Sequence, residues 1–248
     1  MKLTKQNGFA ALLAVIGFVG AAAAADLPQP MYTKAPPAPP PLYNWSGFYL
    51  GVNVGGSWGR QNVTYSEAIA TVTNSVHPDG VIGGGQIGWN WQGANSPWVF
   101  GLEADIQGSG QQASTAFATL DSAITLQDKL EWFGTVRGRV GYATGDQGRW
   151  LLYATGGLAY GENNINGSGI SVGAPVTFDA SHTDIGWTVG GGVEWGFAGQ
   201  WSAKLEYLYA QFEHGPTITL PAATISEGHL TDNIVRVGVN YRFGGGGF

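Results

Sequence analysis

The sequence contains no cysteine. That excludes disulfide frameworks, thiolate zinc centres and thiol nucleophiles. Charge is scarce as well: Lys and Arg number 11, Asp and Glu 17, and together they make 11% of 248 residues. That is about half the usual share. An intrinsically disordered chain needs many charges and few aromatics, and here aromatics reach 12%. The net charge of −6 argues against nucleic acid as a partner, because phosphate recognition needs a surplus of Lys and Arg. Beyond the N-terminal segment no 18 consecutive apolar residues occur, so no spanning helix is expected there. What is abundant is Gly, 41 residues, and Trp, 10 residues. Gly disfavours helices, and without a three-residue repeat it is not collagen.

Lys2 and Lys5 precede an apolar stretch over 9–19 and an alanine run over 21–25. A basic start, an apolar middle and a small-residue Ala23-x-Ala25 site form an export signal over 1–25, cleaved before Asp26. Cleavage removes two Lys and makes the remainder more acidic. Seven of the 12 prolines then crowd into 26–44, which reads as an extended polyproline linker. It could serve as a plain spacer or as a periplasmic arm touching peptidoglycan.

Eight runs of alternating character follow, over 47–58, 80–91, 97–107, 129–143, 149–161, 183–197, 200–211 and 233–243. In the first, Phe48, Leu50, Val52 and Val54 share one parity, and Tyr49, Gly51, Asn53 and Gly55 share the other. In the last, Val235, Val237, Val239, Tyr241 and Phe243 oppose Arg236, Asn240 and Arg242. A period of two sends each parity to one face of a sheet. In the fifth run both parities are apolar, with Leu151 and Tyr153 between Trp150, Leu152 and Ala154, so its facing stays open. Runs of this length exceed soluble strands; at ~3.3 Å per residue and a tilt near 40°, eleven residues cover roughly 28 Å, the thickness of a bilayer's hydrocarbon. Lipid offers no partner to a free sheet edge, so the expected fold is all-β: an eight-stranded antiparallel transmembrane β-barrel, an up-and-down meander over 45–243, with a Gly-rich tail at 244–248.

Short links, at 92–96, 144–148 and 198–199, alternate with links of about twenty residues, at 59–79, 108–128, 162–182 and 212–232. Outer-membrane barrels turn tightly on the periplasmic side and carry long loops outside, which puts both termini in the periplasm. Phe48, Trp91, Trp98, Tyr142, Trp150, Trp195, Trp201 and Phe243 mark the periplasmic ends of the eight runs as an aromatic girdle at headgroup level. The parity opposite the apolar one carries the acids Glu103, Asp105, Glu131, Glu194 and Glu206 and the bases Arg137, Arg139, Lys204, Arg236 and Arg242. Five of each sign balance. An eight-stranded barrel is just wide enough to be filled by side chains, so an interior network of ion pairs is expected, not an open pore. The inward Gly51, Gly84, Gly88, Gly190 and Gly192 make room for long neighbours. The remaining acidic surplus lies in the long loops, where it keeps them soluble or attracts cations or a basic partner.

Catalytic signals are weak. The four histidines, His77, His182, His214 and His229, all fall in or beside the long loops. Ser181 beside His182, or Ser226 near His229, offers the raw material of a hydrolase but no preorganised site. Loop histidines could also hold haem or a metal. Neither a cofactor nor catalysis is assigned.

The stretch Asn44-Trp45-Ser46-Gly47-Phe48-Tyr49-Leu50-Gly51 after a Pro-rich arm, the central Tyr153-Ala154-Thr155-Gly156-Gly157-Leu158-Ala159-Tyr160, the Gly190-Gly191-Gly192-Val193-Glu194 run and the closing Val235 to Phe243 carry a resemblance. Together they resemble the small outer-membrane β-barrel porin family of alphaproteobacterial type, and more distantly opacity-type surface proteins and the OmpA membrane domain. The resemblance implies an eight-stranded barrel in the Gram-negative outer membrane, surrounded by lipid and lipopolysaccharide, that supports envelope integrity and presents surface loops. Some members bind haem, and the word porin does not itself imply a pore; a small-solute porin and a haem- or ligand-binding surface protein remain the alternatives. Such chains commonly stop at the aromatic after Arg, whereas this one runs past Phe243 to Phe248. Either Phe could therefore be the assembly signal.

Overall fold

The computed structural model describes residues 43–244 except 69, 120–121, 172, 214–216 and 221–222. The export signal, most of the Pro-rich linker and the choice between Phe243 and Phe248 lie outside the described residues.

The described residues form eleven strands: β1 (Gly47–Glu67), β2 (Thr71–Val76), β3 (Asp79–Gln92), β4 (Trp98–Ala118), β5 (Ala123–Thr144), β6 (Trp150–Ser171), β7 (Ala174–Ala198), β8 (Trp201–Phe212), β9 (Thr217–Leu220), β10 (Ala223–Glu227) and β11 (Leu230–Phe243). Eight of them close a ring of antiparallel neighbours in the order β1, β3, β4, β5, β6, β7, β8, β11 and back to β1. Closure pairs Phe48 with Phe243 and continues to Arg60 with Thr231. The only helical turn among the described residues is a 3₁₀ turn, Asp146–Gly148, in the link from β5 to β6.

Alternation decides the facing. Along β8, Ser202, Lys204, Glu206 and Leu208 are buried inside, while Trp201, Leu205 and Tyr207 lie exposed outside. The same holds on β1 and β11, so the outer wall is a belt of Val, Leu, Ile, Phe and Trp. The facing left open for the fifth run is resolved: Trp150, Leu152 and Leu158 point out, and Leu151 and Tyr153 point in.

The long links are not loops. β4 and β5 stay paired to Ala118 and Ala123, and β6 and β7 to Ser171 and Ala174, so two expected loops are continuous hairpins. Their alternation persists beyond the belt with its sense reversed: apolar residues turn inward and Thr, Ser, Asn and Gln turn outward. β1 shows the change along one strand, from outward Val52 and Val54 to inward Val63 and Tyr65. Above the belt water replaces hydrocarbon, so the apolar face must seek the inside.

The ring also changes form there. β4, β5, β6 and β7 continue as one four-stranded sheet, and β9, β10, β1 and β2 form another. Phe117, Ile124 and Leu126 from the first pack against Val63, Tyr65, Val76, Ala223 and Ile225 from the second. The barrel is thus surmounted by a head that is a small β-sandwich with its own apolar core. At the sheet tips the Glu67 carboxylate accepts hydrogen bonds from Tyr65 (2.7 Å), Thr119 (3.3 Å) and Ser122 (2.5 Å), tying β1 to the turn between β4 and β5.

Candidate functional site

The barrel interior is the place where function-bearing groups converge. On β4, Glu103 and Asp105 are two residues apart and therefore share the inner face. Arg137 and Arg139 do the same on β5, and Lys204 and Glu206 on β8. Register brings Glu103 opposite Arg137, Glu194 opposite Lys204 and Glu206 opposite Arg236. The side chains then interlock. Arg137 binds Glu103, Asp105 (2.9 Å) and Glu206 (3.1 Å), and Arg236 binds Glu206 (2.6 Å) and Asp105 (3.0 Å). Lys204 reaches Glu103 at 3.0 Å, and Arg139 reaches Glu194 at 2.8 Å. Four carboxylates face four cations, none with a side chain more than 4% exposed. Buried charges persist only when paired and hydrogen-bonded, and here hydroxyls and an amide complete the lone pairs. Tyr49 donates to Glu103 (2.6 Å), Tyr153 to Glu206 (2.9 Å) and Thr135 to Asp105 (2.7 Å); Ser202 (2.6 Å) and Asn240 (2.9 Å) donate to Glu194.

Glycine admits the two tyrosines. A Cβ on Gly88 would fall on the Tyr49 ring, and one on Gly192 would meet Tyr153. Between those rings lies Arg139, its guanidinium 4.1 Å from the Tyr153 centroid and 5.8 Å from that of Tyr49.

Two residues assigned to the network lie elsewhere. Glu131 is on the outside, half exposed, 3.6 Å from Lys129. The register of β5 slips between Leu130 and Trp132, a bulge that sends Leu130 inward and leaves Glu131 and Trp132 both outward. Arg242 does point inward, but among the described residues it pairs with no carboxylate. Its guanidinium lies 4.5 Å from the Tyr43 ring and 5.2 Å from the Trp45 ring, and it donates to the Tyr43 hydroxyl. One acid and one base thus leave the cluster, so its balance survives.

The residues just before β1 fill the end of the barrel nearest the termini. Trp45 is 1% exposed; its Nε1 donates to the Gly148 carbonyl (2.9 Å) and its amide to Gln92 Oε1 (2.8 Å). Val99, Ala143, Leu151, Tyr153 and Tyr43 pack around it. On the far side of the ionic cluster, Ile82, Phe133, Ala159, Leu208, Phe212 and Ile234 form an apolar layer. Beyond them, inside the ring, come Gln61, Gln111, Asn163, Asp184 and Asp232, and then the core of the head. Among the described residues, aromatic plug, ions, apolar layer, polar layer and the apolar core of the head follow one another along the interior.

Asp232 lies beyond the belt, where the outer residue of β11 is already the polar Asn233. Gln111 donates to it at 3.1 Å, and burial pushes its carboxyl from the ordinary 3.8 to about 7. Asp184, also inside this layer, is raised by burial, an effect opposed by His182 at 3.2 Å. Ser181 and His182 are adjacent on β7, so they project to opposite faces and cannot form a nucleophile–base pair. Among the described residues no group of three or more His, Asp and Glu is placed to hold a metal.

Outside, Phe48, Trp91, Trp98, Tyr142, Trp150, Trp195, Trp201 and Phe243 all stand exposed at the end nearest the termini. Trp150 stacks on Trp195 at 5.7 Å, and Trp98 meets Tyr142 at 5.3 Å. A second rim escaped the sequence reading: Trp58, Trp132, Tyr160, Trp187 and Tyr209, with Trp132 on Tyr160 at 6.1 Å and Trp187 on Tyr209 at 5.5 Å. Along β5 to β8 the two rims stand eight to ten residues apart. With a strand tilt near 40° that is roughly 20–25 Å, the height of an outer-membrane belt.

The family described as outer membrane protein beta-barrel domain matches residues 10–243. The 31 kDa outer-membrane immunogenic protein of Brucella melitensis is 34% identical over 233 residues, covering 91% of this chain and 95% of its own. The 22 kDa outer membrane protein of Rhizobium leguminosarum is 32% identical, covering 82% of this chain and 80% of its own. Among solved structures, the outer membrane protein OprG of Pseudomonas aeruginosa is 10% identical with a TM-score of 0.47, covering 82% of this chain and all (100%) of its own. Neisserial surface protein A is 14% identical with a TM-score of 0.36, covering 80% and 98%.

Proposed function

The chain belongs to the outer membrane β-barrel family and resides in the Gram-negative outer membrane, and from that premise we propose that it is a sealed, non-catalytic barrel with a structural role in the envelope and a surface-interaction role in its head. The observation that carries this reading is the interior: four carboxylates and four cations locked together with almost no exposure, closed on either side by Trp45 and by the layer of Phe133, Leu208 and Ile234. A path for solutes needs continuous wetted space, and these layers occupy it. The barrel sits among lipid and lipopolysaccharide, with its two aromatic rims at the two headgroup levels. Both termini face the periplasm, where the Pro-rich arm reaches toward peptidoglycan, and the head stands outside the cell.

Two measurements test this. The purified folded chain in a planar bilayer should give no large stable conductance; a persistent open channel would overturn the sealed interior. Protease added to intact cells should cut only within 59–79, 108–128, 162–182 and 212–232; cuts at 92–96 or 144–148 would reverse the orientation.

A further inference from the structure

Among the described residues the head does not close into a tube. Its two sheets meet along two seams. At one of them Asn74 of β2 donates to the Ala116 carbonyl of β4 at 2.9 Å. At the other, among the described residues, no strand pairs with the free side of β7 between Ala174 and Asp184; β8 joins β7 only from Gly186 onward, and β9 pairs with β10 alone. The orientation of this edge can be read from its last bond. Ile185 accepts from the amide of Glu213 at 3.0 Å, so its carbonyl points away from β6. Backbone groups alternate sides along a strand, so the amides and carbonyls of Thr177, Asp179, Ser181 and Thr183 point the same way. Pro175 stands in that same series with no N–H to offer, which ends the edge where β7 turns back to β6.

We propose that this edge of β7 is a docking site for an extended, basic polypeptide strand, which adds to the sheet by main-chain pairing. An open edge is a template for another strand. The charge around it selects the partner. Asp179 on the edge and Glu213 at the seam are exposed, and Glu162 lies across from Thr183 on β6. Apart from the buried Asp232, the 59–79, 108–128, 162–182 and 212–232 segments together hold eight acids and one base, Arg60. That field repels a second copy of the same head and attracts Lys and Arg. The inward Val176 and Phe178 border the edge on one face and exposed Thr177, Asp179 and Ser181 on the other, so the incoming strand should alternate apolar with basic residues. This deepens the surface-interaction reading and rests on it for where the partner is met. The binding step itself is measured on purified protein, so its failure is separate from a failed orientation on cells.

The test uses the whole chain in detergent micelles and a fluorescent ten-residue peptide of alternating Lys and Val, with polarisation as the readout. Saturable binding is expected, weakening at least about tenfold for a peptide methylated on alternate amides and for one with Glu in place of Lys. Ser181→Pro removes an edge donor that β6 does not use, and should weaken binding similarly while the barrel keeps its heat-modifiable mobility. Equal binding of the methylated peptide would overturn edge pairing without recourse to any variant. Equal binding of the Glu peptide would overturn the charge selection. A head-to-head dimer by analytical ultracentrifugation that Ser181→Pro dissolves would overturn the basic partner in favour of a second copy.

Discussion

Arg137→Met isolates the cost of unbalancing the ionic cluster. Methionine keeps much of the arginine volume, so the loss is chiefly electrostatic. Arg137 has no exposed side-chain surface and holds three carboxylates, Glu103, Asp105 and Glu206. Its removal leaves four carboxylates against Arg139, Lys204 and Arg236, one buried negative charge in excess. Removing one partner from a buried ion pair costs about 3–5 kcal/mol, and that is the destabilisation expected here. Adding Glu103→Gln restores three against three, and the double variant should recover to within about 2 kcal/mol of the native chain. Urea unfolding in lipid vesicles, followed by tryptophan fluorescence, measures all three proteins. Planar-bilayer recordings of the single variant should stay closed, because Trp45 and Phe133 still bracket the cluster. A single variant within about 1 kcal/mol of native, or a double variant less stable than the single one, would refute charge balance as what holds the interior.

Asp232 makes stability depend on pH in the opposite sense to a salt-bridged carboxylate. Its folded value of about 7 lies above the ordinary 3.8, so between these the folded chain keeps a proton that the unfolded chain has released, and stability falls as pH rises through that window. Asp232→Asn should therefore gain on the order of 3–5 kcal/mol over the native chain at pH 8 and nothing below pH 4, as read by urea midpoints across the series. Trp45→Ala removes a fully buried ring and its bond to Gly148, and should cost about 3–5 kcal/mol in the same unfolding assay. Glu131→Gln breaks only an exposed pair with Lys129 and should shift stability by less than about 0.5 kcal/mol; a loss as large as that of Arg137→Met would return Glu131 to the interior.

The part of the fold that touches lipid was legible because hydrocarbon imposes a single rule. Every outward position between the rims must be apolar, so parity alone placed Leu50, Val52, Trp187 and Val237 outside and Glu103, Arg137 and Glu206 inside. The rule fails where the surroundings change. At Leu130-Glu131-Trp132 one bulged residue shifts the phase, and local composition cannot reveal it, because Leu and Trp suit either face next to the rim. In the fifth run both parities are apolar for different reasons: Trp150 and Leu152 meet lipid, whereas Leu151 and Tyr153 close over Trp45. Trp45 itself follows a proline tract that reads as a linker, and nothing local announces that its ring is buried against residues a hundred positions away. The head was the largest omission, although its signal was present. In 61–65 the inward Gln61, Val63 and Tyr65 alternate with Asn62 and Thr64, and in 124–127 Ile124 and Leu126 alternate with Thr125 and Gln127. These are soluble-protein strands, apolar within and polar without. On β1 a reading keyed to lipid sees a polar loop because Val63 and Tyr65 fall on what had been the inner parity, whereas on β5 the bulge at Leu130 shifts the phase and turns Ile124 and Leu126 inward on what had been the outer parity. One strand such as β1 crosses both solvents, and its alternation changes sense where the solvent changes. The reversal therefore marks the membrane boundary, and on β1 it falls between Trp58 and Val63, at the rim that the aromatic residues define independently.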